Sequence, residues 1–261
     1  MQNIQNLQNL QGLSKSRGLT QFQQLYNYIK SLDGLVAYYP LNELSGSTAF
    51  NQAPETKGTL DGATTGATVA QPGKVGRAYS FDGTGDFVNV SDNDSLDFGT
   101  GDFSVLLLVK LTDDGLLQYV LSKNAGAGNA NNTGGQWWEI LYRAEQAGNE
   151  LQFRVNDGVA GGSGTALQIT TVNVGDGNWH FIAFVIDRDG TSTAYADGIS
   201  VDTGDLTAQG GSVSSTGNLY LMSNNVGAAN FSVGLLQHFA AFNRALSAAE
   251  ILKLAKISGL A

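Results

Sequence analysis

Two packed antiparallel β-sheets, preceded by a helical arm and followed by a short helix, are what this sequence predicts. From Gly34 onward, about a dozen short apolar or alternating runs are separated by glycine, asparagine and aspartate turn signals. Charged residues make up 14% of the 261, and glycines number 34, which suits turn-rich strands better than long ion-paired helices. The run FIAFVID, residues 181–187, is almost wholly apolar, as expected of a central strand covered on both faces. A chain of this length suits one sandwich with an appendage.

The appendage comes first. In residues 1–33 the stretch QNIQNLQNLQGL places Ile4, Leu7, Leu10 and Leu13 three apart among Gln and Asn. A strict three-residue step drifts around an α-helix and yields a broad apolar face. TQFQQLYNYIKSLDG is a stronger helix, with Thr20 as cap and Phe22, Leu25, Ile29 and Leu32 on one side, ending at Asp33-Gly34. Two readings stand for the arm: it packs on its own domain, or it is an anchor or oligomerisation device.

Residues 34–261 form the sandwich. The runs LVAYYPL, AYSFDG, DFVNV, FSVLLLVKL, YVLSK, WWEILYR, LQFRV, LQITTV, HFIAFVID, STAYADG, LYLMS and LLQHFAAF are its strands. AYADGIS carries an Asp-Gly pair suited to a hairpin turn with positive φ. Ser247-Ala248-Ala249-Glu250 is a capping box opening a last helix over residues 251–257 that stops near Gly259.

Composition narrows the function classes. The chain has no cysteine and only His180 and His238, so neither thiolate nor histidine-rich zinc sites can be built, and any metal is a hard cation held by oxygens. A formal charge of -9 opposes binding to a phosphate backbone, and nucleic acid is not an expected partner. No apolar run is long enough to span a bilayer. The start MQNIQNLQNLQGLSKSRG lacks a basic, then apolar, secretory pattern, so export by the general route is not expected, although a mature chain with a replaced start would read the same.

Five segments in order, LVAYYPLNELSGSTAFN, GKVGRAYSFDGTGDFVNV, GDFSVLLLVKL, GNWHFIAFVIDRDGTSTAYADGISV and FNRALSAAEI, resemble the laminin-G-like, concanavalin-A-like jelly-roll domains, a group that includes the pentraxins. The resemblance implies a jelly-roll sandwich over nearly all of residues 34–261. It leaves function open, since that fold carries lectins, adhesion modules, appended sugar-binding domains and glycosidases. It also makes YSFDGTGDFVNV an early hairpin in which Phe81, Phe87 and the valines pack. Asp82 and Asp86 are then either turn residues or oxygens for calcium.

Glycosidases need two carboxylates astride the scissile bond. The laminarinase-like branch presents them on one strand as E-x-D-x-x-E or E-x-D-x-E, and no such run exists here. Glu139 and Glu145 stand six apart with no acid between them, and Asp187 and Asp189 run into a glycine turn. His180 lies in a strand beside a Trp, and neither histidine adjoins a nucleophile elbow. The chain is therefore expected not to be an enzyme.

Sugar binding needs an aromatic platform and planar polar groups. Alternation along QWWEILYR and LQFRV puts Trp137, Glu139, Arg143, Gln152 and Arg154 on one sheet surface. Pentraxin-type relatives coordinate calcium, and ligand through it, from two loops. The matching positions hold amides, Asn131 and Asn132 in one loop and Asn224 and Asn225 in the other, which lack the negative charge calcium affinity needs. A family Asp after the early SG stretch is Asn51 here, with Asp61 the nearby acid, and the acidic pair expected before NRAL is replaced by Leu236-Gln237-His238. Calcium is thus the one cofactor left open.

A sugar-binding fold without an export signal or disulfides, bearing a Gln/Asn-rich start, fits a virion. The leading reading is a non-catalytic display protein on a phage virion surface, a capsid decoration or head or tail component. In it, residues 1–33 contact other virion proteins, the chain forms a homo-oligomer, and the lectin-like domain holds host or environmental glycans. The alternative is a secreted or cell-surface carbohydrate-binding or adhesion module.

Overall fold

The computed structural model describes residues 20–124, 135–146, 149–158, 165–224 and 230–261. Helix α1 (Gln21–Ser31) leads into strands β1 (Leu35–Tyr39), β2 (Thr48–Ala49), β3 (Gly62–Thr65), β4 (Thr68–Pro72), β5 (Arg77–Asp82) and β6 (Phe87–Val90). There follow β7 (Phe103–Leu111), β8 (Leu117–Asn124), β9 (Gln136–Arg143), β10 (Glu150–Asp157), β11 (Thr165–Ile169) and β12 (His180–Ile186). The chain closes with β13 (Thr191–Ala196), β14 (Ile199–Asp205), β15 (Leu219–Leu221), β16 (Val233–Phe242) and helix α2 (Ala248–Ser258).

Every strand pairing is antiparallel. The first sheet runs β14-β13-β12-β7-β16-β5-β4, with β1 also on β16; the second runs β11-β10-β9-β8-β15-β6-β3-β2. Between them lies a core to which Val105, Leu107, Val109, Ile182, Phe184, Trp138, Ile140, Tyr142 and Phe153 contribute. Its aromatic centre is tight, with Phe98 and Phe103 stacked at 4.4 Å and Trp138 tilted against both.

Strands β7 and β12 are buried along almost their whole length because the first sheet is covered twice. Leu106, Leu108, Phe181 and Ala183 point away from the main core into a second one, formed with Leu25 and Ile29 of α1 and Ile251, Leu254 and Ala255 of α2. This is the double coverage the apolar run 181–187 predicts. Ser247 and Glu250 form the expected capping box, the expected cap Thr20 forms one with Gln23, and Gly259 ends α2 at φ +70°. Gln21 Nε2 donates to the Ile257 carbonyl, tying α1 to α2. Residues 20–33 thus pack on the domain, while residues 1–19, with their leucine triplets, lie outside the described residues.

The hairpin at Asp197-Gly198 has positive φ at both positions, +51° and +80°, as its Asp-Gly pair predicts. Strands β2, β3 and β4 were not expected: GATT and TVAQP have neither a long apolar run nor clear alternation, and pairing with β6 and β5 makes them strands. Phe87 requires a correction. Expected to pack inside, it alternates with the buried Val88 and Val90 and so faces outward.

Candidate functional site: the outer face of the second sheet

The helices pack on the outer face of the first sheet, and the outer face of the second carries the patch that alternation predicts. Register aligns one residue from each of five strands on that face. Asn89 of β6 pairs Tyr220 of β15, Tyr220 pairs Ser122 of β8, Ser122 pairs Glu139 of β9, and Glu139 pairs Arg154 of β10. One step along, Asn124, Trp137 and Asn156 form a parallel row.

The two ends of the row differ. Toward β6, Phe87, Asn89, Tyr220 and Phe231 are half-buried. Phe87 lies 5.8 Å from the Tyr220 ring and stacks at 6.4 Å on Phe231. Beside this group, Asn89 Oδ1 and the fully buried Ser122 Oγ find no hydrogen-bond partner among the described residues. Toward β10, Trp137, Glu139 and Arg154 are buried, at 1%, 1% and 4% exposure. Arg154 Nη1 stands 3.5 Å from Glu139 Oε1, and its guanidinium lies 5.3 Å from the Trp137 ring centroid. Burial pushes the Glu139 carboxyl up to about 7 against the opposing pull of Arg154. The same burial, with the Glu139 charge, raises the neighbouring Tyr119 phenol.

The face therefore assembles as alternation predicts, but as an interior. Trp137 is not an open platform. Gln152, also buried, donates from Nε2 to Glu150 at 2.7 Å, and Arg143 at the strand end pairs with Glu145 at 2.9 Å. Asn224 is buried at the start of its loop, whereas Asn131, Asn132 and Asn225 lie outside the described residues. The aromatic group of Phe87, Tyr220 and Phe231 went unrecognised, although parity in FVNV and LYL places the first two.

Asp82 and Asp86 turn their carboxylates on their own hairpin. Asp86 Oδ2 accepts from the Asp82 amide at 3.0 Å and Asp82 Oδ1 from the Thr84 amide at 2.7 Å, with Gly83 and Gly85 at φ near +84° and +83°. That is the turn reading. At the early family position, Asn51 is buried and accepts from the Tyr38 amide, while its Nδ2 donates to Thr56. Both ends of the Asn51 amide are thus used within the fold. Among the described residues, Asp102, Asp187 and Asp189 bring carboxylate oxygens within 4.8 Å of one another and could hold a hard cation.

Both histidines serve the fold. His180 bonds Asp197 at 2.9 Å and Asp176 at 3.3 Å, which raises its pKa. His238 is wholly buried, bonds the Tyr38 hydroxyl at 2.7 Å, and is held down to about 3 by burial.

No curated protein sequence matches the chain. Solved structures do, at identities that speak for the fold alone. The binding domain of Paraclostridial Mosquitocidal Protein 1 matches with a TM-score of 0.64 and 16% identity over 87% of this chain and 52% of its own. The ligand-binding domain of botulinum neurotoxin serotype D, solved with N-acetylneuraminic acid, matches at 0.64 and 12% over 88% and 52%. Domain 4 of AbnA, a GH43 extracellular arabinanase from Geobacillus stearothermophilus solved with arabinotriose, matches at 0.60 and 20% over 85% and 98%. The chain thus spans about half the length of the toxin domains and nearly all of the arabinanase domain. The family model for the concanavalin A-like lectin/glucanases superfamily matches residues 82–252, well over half of the sequence. With the two-sheet jelly roll already in view, the chain is a lectin-like domain belonging to the concanavalin A-like lectin/glucanases superfamily.

Proposed function

We propose that this protein is a non-catalytic carbohydrate-binding module whose ligand lies on the outer face of the second sheet. The observation that carries the reading is the half-buried aromatic group Phe87, Tyr220 and Phe231 on that face. Aromatic faces receive the C–H side of a pyranose, and neutral polar atoms receive its hydroxyls. Two of the similar structures are named as binding domains and a third was solved with arabinotriose, which supports it.

Retention on a glycan microarray tests the reading. Tyr220→Ala should weaken it about tenfold, since one aromatic contact contributes about 1 kcal/mol or somewhat more. Undiminished retention by that variant, or new reducing ends appearing in a retained glycan, would refute it.

We place the binding at an extracellular or exposed surface, in keeping with the toxin binding domains and the extracellular arabinanase. Display on a phage virion, through residues 1–33 and as a homo-oligomer, is the narrower setting, supported by the Gln/Asn-rich composition of the first residues. Light scattering of the full chain through dilution tests it: a defined oligomer supports that setting, and a monomer at every concentration counts against it.

A further inference from the structure

We infer that the saccharide bound on this face is uncharged, and that glycans whose recognition depends on a carboxylate or sulfate are rejected. The inference rests on the carbohydrate reading above and narrows it to a ligand class.

Acidic sugars are held by cations with donors to spare, above all by the planar fork of arginine. The cations that β8, β9 and β10 contribute are all engaged. Arg154 faces Glu139 at 3.5 Å and lies over the Trp137 ring. Arg143 is taken by Glu145, with Nη2 at 2.9 Å and Nε at 3.0 Å. Lys123 points to the other side of the sheet, fully buried, and contacts Asp92 at 2.6 Å, Asp97 at 3.4 Å and the Gly217 carbonyl at 2.7 Å. Among the described residues, a carboxylate arriving on this face meets no cation that lacks contacts of its own.

The groups without partners are of the opposite kind. Asn89 Oδ1 and Ser122 Oγ are neutral, one an acceptor and the other both donor and acceptor, and they flank Tyr220 in one cross-strand row. The adjoining Phe87 and Phe231 rings add apolar surface without charge. A formal charge of -9 over the chain further disfavours the approach of an anion. What the partly exposed Phe87, Tyr220 and Phe231 rings match is the C–H face of a sugar ring, with no charged group among them.

The test is a microarray carrying neutral glycans together with their sialylated, uronic and sulfated counterparts, probed with the full chain and with Tyr220→Ala. The expected result is that every retained glycan is neutral, is held about tenfold or more above its acidic counterpart, and is lost with Tyr220→Ala. Retention is also expected to change little between about 0.05 and 0.5 M salt, because screening acts on exposed charge pairs and none forms here. Retention that requires the acidic group, and disappears with Tyr220→Ala, overturns the charge inference and leaves the carbohydrate reading standing. Neutral glycans retained equally by the variant place the site elsewhere and overturn both, as does an array with no retained glycan. Matching thermal unfolding of the two proteins shows that the variant is folded.

Discussion

Replacing Glu139 by glutamine tests whether the buried end of the row holds a neutral carboxyl. Burial moves that carboxyl from the usual 4.5 to about 7. At about 1.4 kcal/mol for each tenfold change in proton affinity, the displacement amounts to about 3 kcal/mol of folding free energy. The sign follows from which state holds the proton. Below pH 4.5 both folded and unfolded chains carry it. Between 4.5 and 7 the unfolded chain releases it while the folded chain keeps it, so this group's contribution to stability falls as pH rises and levels off above 7. Glu139→Gln cannot titrate and keeps the shape. Urea unfolding of both proteins at several pH values isolates the effect, because all other titrating groups cancel in the difference. The variant should gain on the wild type by about 3 kcal/mol between about pH 4 and pH 8, with most of the gain inside the window. A difference that stays flat would mean that Arg154, 3.5 Å away, keeps the carboxylate ionised throughout, and the account given for the buried end would be wrong.

Three further outcomes are expected. His180, raised by Asp197 and Asp176, contributes stability that is complete below its unfolded value near 6.5 and is lost as pH rises through the higher folded value; the melting-temperature gap between wild type and Asp197→Asn should therefore narrow from about pH 6 upward. Leu25→Ala removes a side chain that is 1% exposed beneath α1 and should cost about 2–5 kcal/mol in urea titrations, whereas a loss below about 0.5 kcal/mol would mean that α1 is not part of the core. Gly234, at φ +146° in β16, leaves no room for a methyl, since an added Cβ would sit 2.1 Å from the Lys110 carbonyl; Gly234→Ala should lower the melting temperature sharply, and an unchanged melt would contradict the β16–β7 register.

Where the chain's own periodicity settles an element, the sequence was legible. The alternating run QWWEILYR gave both strand and facing, the apolar run FSVLLLVKL gave a strand, and the Ser247-to-Glu250 box marked its helix because the cap chemistry is local. GATT and TVAQP were not legible, because their strand state comes from pairing with β6 and with the adjacent β5 and not from a pattern of their own. The same division runs through the site. Parity correctly grouped Trp137, Glu139 and Arg154, but parity cannot tell whether a face is open, and these three are buried. Tyr220 sits in a strand of three residues, too short for a pattern to stand out, and it emerges only when register lines it up with Asn89 and Ser122. Asp82 and Asp86 fitted both a turn and a calcium loop because the two draw on the same residues; their hydrogen bonds are those of the turn.

The bond between Gln21 and Ile257 gives the molecule a front and a back. Both ends of the folded unit emerge on the helix-covered side, with the aromatic row on the opposite side. Under the function proposed above, a unit held at one pole and binding at the other can be strung in series or grafted into a host loop without its readout being turned inward.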